Sequence, residues 1–111
     1  MKIALPVTNG QLSQHFGHCE TFRIFEIDSE NQIVSEENLQ PPAHEPGVLP
    51  QWLYDQGADV AIVGGMGEQA QSLLREKGIE VIIGAPMDPP ESLANQYLSK
   101  TLVSGDNVCD H

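Results

Sequence analysis

The back half of the chain constrains the fold most. Asp59-Val60-Ala61-Ile62-Val63 is a short apolar run, and Gly64-Gly65-Met66-Gly67 turns it into a segment with helical spacing at Ala70, Leu73 and Leu74. Gly78 ends that segment, and Ile79 to Ile83 is apolar again. A strand, a helix and another strand in this order demand parallel strands joined by a right-handed crossover. Asp88 then suits the cap of a further helix begun by Pro89-Pro90, with Leu93, Ala94, Tyr97 and Leu98 turned inward.

The front half has another grammar. Lys2 to Val7 reads as a buried strand ended by the turn signal Thr8-Asn9-Gly10. Residues 8–19 read as loop. A second strand spans about Thr21 to Asp28, and Asp28-Ser29-Glu30-Asn31 connects it to a third, about Gln32 to Leu39, so the three form an antiparallel meander. Pro41, Pro42 and Pro46 exclude regular structure from the next stretch. Val48, Leu49, Trp52 and Leu53 then mark a helix, with Pro50 in its first turn and Gly57 at its C-terminal cap. The predicted class is α/β: a five-stranded mixed sheet in the order βββαβαβα, with helices on both faces. Residues 1–103 form a single domain, and 104–111 a C-terminal tail.

Size and charge narrow the function. One hydrophobic core is what 111 residues can build. The excess of 16 acidic over 5 basic residues gives a net charge of −11, which repels phosphate backbones and argues against nucleic acid as partner. No run approaches the ~18 apolar residues of a membrane span. Met1 to Pro6 is too short for a signal peptide, so a cytoplasmic location is expected. There the cysteines, Cys19 and Cys109, would stay thiols.

In open α/β sheets ligands sit beyond the C-terminal ends of the parallel strands. With the first, third, fourth and fifth strands pointing one way, that edge gathers residues 8–19, the proline-rich loop with His44, the Gly64–Gly67 turn, and Gly84-Ala85-Pro86-Met87. Imidazole and thiolate suit zinc, copper, iron and iron–sulfur or mixed-metal clusters. His15, His18 and Cys19 put three such donors within five residues, and Gly17 lets the backbone fold tightly between them. The bland alternative is a loop-capping histidine beside a cysteine packed as a small apolar residue.

His44 is a candidate ligand because the predicted fold aims it at the same rim; a lone loop histidine is otherwise commonly just exposed. Cys109-Asp110-His111 offers Cys109, His111 and the α-carboxylate, although chain ends are often loosely held. Its return to the rim is feasible: eleven extended residues reach roughly 36 Å, against a rise of about 14 Å for a nine-residue helix. Gly64, Gly65, Met66 and Gly67 can offer backbone N–H groups to an anionic ligand at a helix N-terminus, or serve close packing alone. Met66 adds a thioether, or fills core space. Neither a Gly-x-Ser-x-Gly elbow nor HExxH occurs, and no reaction is named by these residues. A non-enzyme is expected.

Together, Lys2-Ile3-Ala4-Leu5-Pro6-Val7, His15-Phe16-Gly17-His18-Cys19 and Val60-Ala61-Ile62-Val63-Gly64-Gly65-Met66-Gly67 resemble the dinitrogenase iron–molybdenum cofactor biosynthesis family. The His44-Glu45-Pro46-Gly47 loop and the ending Gly105-Asp106-Asn107-Val108-Cys109-Asp110-His111 look like its branch of stand-alone domains. The resemblance implies a ribonuclease-H-like architecture. It also implies binding or carriage of an iron–sulfur or molybdenum-containing cluster or its precursor, with cluster donor or acceptor proteins as partners. A single transition-metal ion is the simpler cargo. Nuclease chemistry does not follow, since it needs several carboxylates around two metal ions, and the first strand ends in Pro6-Val7-Thr8 without an acid. The rival expectation is a regulatory protein-interaction module that binds no metal.

Overall fold

The computed structural model of the chain describes residues 1–16, 19–42 and 47–102. Its strands are β1 (Lys2–Thr8), β2 (Gln11–Leu12), β3 (Thr21–Ile27), β4 (Ile33–Leu39), β5 (Val60–Ile62) and β6 (Glu80–Ile82). Its helices are α1 (Val48–Asp55), α2 (Glu68–Glu76) and α3 (Pro90–Leu98). The sheet runs β4-β3-β1-β5-β6, with β2 paired to β1. β3 is antiparallel to both β1 and β4, whereas β5 is parallel to β1 and β6 to β5.

The expected five strands are therefore present in one mixed sheet, in the expected meander and parallel pairings. The sheet has six strands rather than five, because β2 forms within the 8–19 stretch expected as loop. Asn9 (φ 56°) and Gly10 (φ 76°) both adopt positive φ, the backbone of a two-residue hairpin turn. This turn folds Gln11 and Leu12 back onto Thr8 and Val7.

Alternation along the strands sorts the core into two layers. Ala4, Phe22, Ile24 and Ala61 pack with Leu49 and Leu53 of α1 and Leu74 of α2. Ile3, Leu5, Phe25, Ile27, Val60 and Ile62 pack with Leu93 and Ala94 of α3 on the opposite face. Helices thus cover both faces. Edge strand β4 is mostly exposed, held by its register from Phe22↔Leu39 to Ile27↔Ile33 and by an Arg23–Glu36 ion pair at 3.3 Å.

One cap differs from expectation. α3 begins after Pro89, with no side-chain cap hydrogen bond. Asp88 instead accepts the Leu12 N–H at its backbone carbonyl (3.0 Å). A helix opened by consecutive prolines has fewer N–H groups to cap. Among the described residues, no helix is long and apolar enough to cross a membrane.

Candidate metal centre

β1, β5 and β6 end at one edge, and the chain leaving each is sewn to the others through backbone hydrogen bonds. Leaving the β1–β2 hairpin, Ser13 donates its N–H to Pro6 O (2.8 Å) and Phe16 donates to Gly65 O (3.1 Å). Gly84, beyond β6, donates to Gly64 O (3.0 Å), and Ala85 to Val63 O (3.2 Å). Gly64 is where the segments come nearest. A Cβ there would lie 3.2 Å from Gln14 O and 3.3 Å from Ser13 O, so only glycine lets the 13–16 segment settle on the turn unhindered.

The ring of Phe16 is the side-chain counterpart of this stitching. It is only 5% exposed and meets Phe22 edge-on at 5.7 Å and 75°. Phe22 in turn meets Trp52 of α1 at 5.5 Å and 62°. Edge-to-face geometry of this kind adds to the gain from burial itself. Neighbouring His15 is exposed, and its carbonyl accepts the Ser13 hydroxyl at 3.1 Å. The loop is thus anchored by its aromatic residue, while an imidazole stays at the surface.

Cys19 lies just ahead of β3. It is half-buried and packs against the α1/α2 core layer. Burial pushes its thiol pKa up to about 11, partly opposed by the backbone N–H groups of Cys19 and Val7. Next to it, Glu20 donates its N–H to Val7 O (2.9 Å), and its carboxylate accepts the Asn9 N–H (2.9 Å). Thr8 Oγ1, at the end of β1, is buried with no hydrogen-bond partner among the described residues.

In the Gly64–Gly67 turn, Gly64, Gly65 and Met66 are buried and Gly67 is exposed as the N-cap of α2. Met66 is 1% exposed and sits in the core layer with Phe16 and Leu74, so its thioether is packing material. Its carbonyl accepts Gln71 Nε2 at 3.0 Å, a buried bond running back from α2. Glu68 opens the helix with an acidic side chain. That charge favours the helix dipole and weakens the same end as a receptor for an anion.

Of the six donors singled out in the sequence, the structure describes His15, beside the anchored Phe16, and Cys19, packed on the same core layer. His18, His44, Cys109 and His111 lie outside the described residues. Among the described residues, no group of three or more His, Cys, Asp or Glu is gathered as a metal site. Sequence reasoning passed over Phe16 as an anchor and Gln71 as a brace. The signal for Phe16 was present, because an aromatic residue inside a polar loop usually needs a place to bury its ring. Gln71 carries no comparable signal.

A family model described as dinitrogenase iron-molybdenum cofactor matches residues 1–100. The chain belongs to that family. It is 38% identical over 85 residues to the uncharacterized protein MJ0580 of Methanocaldococcus jannaschii, covering 73% of this chain and 72% of that one. In fold it is similar to PH0822, whose crystal structure matches with a TM-score of 0.85 and 25% identity, over 95% of this chain and 96% of that one. It is also similar to the apo form of the orange protein of Desulfovibrio gigas, with a TM-score of 0.71 and 20% identity over 96% and 93% of the two chains. The family name points to iron–molybdenum cofactor chemistry. The exposed imidazole of His15 and the half-buried thiol of Cys19, four positions apart in the sequence, are both donor types that such a group accepts.

Proposed function

We propose that this chain is a non-catalytic binding or carrier protein for an iron–sulfur or molybdenum-containing cluster, or for its precursor. His15, His18 and Cys19 are the primary donors. His44, Cys109 and His111 complete the set, and the Gly64–Gly67 turn frames it. On this reading the architecture is ribonuclease-H-like and serves only as a scaffold, since a fold does not bring its chemistry with it. Partners are the proteins that deliver or accept the cluster.

One observation carries the reading. The 13–16 segment, which carries His15, is tied to the Gly64–Gly65 turn at the rim, in a chain whose family match covers residues 1–100. Three donors within five residues are too few to close a four-ligand structural site and suit one that must release what it binds. The raised pKa of the Cys19 thiol favours the rival reading, a metal-free interaction module, because burial makes the proton harder for a cluster to displace.

Anaerobic reconstitution with iron and sulfide, and separately with tetrathiomolybdate, tests the choice. The parent should take up metal, and the H15A/C19A double variant should take up little. Equal uptake by both, or none by the parent, overturns the proposal.

A further inference from the structure

Between the two donors that the structure places sits a residue that cannot ligate anything. Phe16 follows His15 directly and precedes Cys19 by three positions. Its ring is buried against Phe22, and its N–H is bonded to Gly65 O at 3.1 Å. Ser13 braces the preceding carbonyl, and the absent Cβ of Gly64 leaves room for the backbone of Ser13 and Gln14. A chain held at one residue by both its ring and its amide leaves little freedom at the residue before it, here His15. His15 is left exposed on one side of this anchor, and on the other Cys19 is half-buried against the same core layer.

We infer that Phe16 is a positioning residue for the metal site: it fixes the backbone that carries His15, on the same core layer that Cys19 packs against, before any metal arrives. This rests on the metal-binding reading above. Groups that orient ligands without touching the metal commonly matter for affinity nearly as much as the ligands do. Preorganisation also spares the site the entropy of ordering a loop on binding.

The test uses the full chain and the iron-and-sulfide reconstitution, with retention of iron against a chelator as the readout. Phe16→Ser should keep its secondary structure yet hold iron about ten- to a hundred-fold less well. Phe16→Leu, which keeps an apolar plug, should fall between Phe16→Ser and the parent. Phe25→Leu is the control, because Phe25 is equally a core ring but lies in the layer under α3, away from the loop. It should lower the melting temperature and leave iron retention unchanged. Parental retention in Phe16→Ser, or an equal loss in Phe25→Leu, overturns the positioning role.

Amide hydrogen exchange on the metal-free parent covers the case in which Phe16→Ser does not fold. The Phe16 amide should exchange well below its intrinsic unstructured rate, and exchange at that rate overturns the inference without touching the metal assignment. A parent that takes up no iron removes the metal reading itself, and the positioning role falls with it.

Discussion

Residue types reveal possible chemistry, and burial then decides how readily each group can use it. Cys19 was legible as a soft donor from its neighbours His15 and His18, but its half-burial depends on where β3 begins, which spacing alone does not fix. With its pKa pushed up to about 11, the thiolate fraction at pH 8 falls about two orders of magnitude below that of an ordinary cysteine. In a Cys109→Ser background, iodoacetamide should therefore label Cys19 slowly at pH 8 and speed up steeply towards pH 11. Labelling at the rate of a free thiol would show that the site is open. Gln71 makes a second case at this scale. Gln71→Leu leaves the buried Met66 carbonyl without its donor, which should cost about 1–3 kcal/mol in a urea melt. Gln71→Glu should be worse at neutral pH, where a buried carboxylate would face a carbonyl. It should recover as pH falls, because the protonated acid can donate again. A Gln71→Glu loss that does not depend on pH would remove Gln71 from its bracing role.

At the scale of elements, periodicity points to every helix and every long strand among the described residues. What it passed over was short and set by turn chemistry. Asn9-Gly10 was recognised as a turn, but a two-residue strand such as β2 gives no period to count, so the hairpin was absorbed into a loop. That omission matters for the site, since β2 starts the run of bonds leading to Phe16. The two glycines along this path behave differently. Gly10 has φ +76° with open space around its missing Cβ, whereas a Cβ on Gly64 would press on the backbone of Ser13 and Gln14. Gly10→Ala should then cost only the conformational penalty, about 1 kcal/mol. Gly64→Ala should cost about 1–3 kcal/mol through overpacking, and should also raise the exchange rate of the Phe16 amide. Urea denaturation and amide exchange check both expectations. If Gly64→Ala leaves the Phe16 amide unchanged, the loop and the turn are not mechanically joined.

For the whole molecule, class and topology were legible because the two core layers follow from strand alternation, and the rim follows from strand direction. Completion of the site was not legible to the same degree, because sequence spacing assigns donors to loops without fixing how those loops fold over the rim. The folded chain as a whole also has an alkaline limit that its parts predict. Cys19 is raised from 9.0 to about 11 by burial. Tyr97 is raised from 10.0 to about 12, by burial first and then by Glu80, whose carboxylate accepts its hydroxyl at 2.6 Å. Both groups keep their protons in the folded state at a pH where the unfolded chain has released them. The unfolded state therefore binds fewer protons over this range, and stability must fall as pH rises. The contribution is fully present below about pH 9 and is lost between about pH 9 and 12. Self-repulsion of a chain carrying −11 already at pH 7 adds a general decline on top. Comparison of variants separates the two: Cys19→Ser should flatten the melting-temperature curve between about pH 9 and 11, and Tyr97→Phe between about pH 10 and 12. If both variants decline in parallel with the parent, the protons are not held by the fold, and repulsion alone sets the alkaline limit.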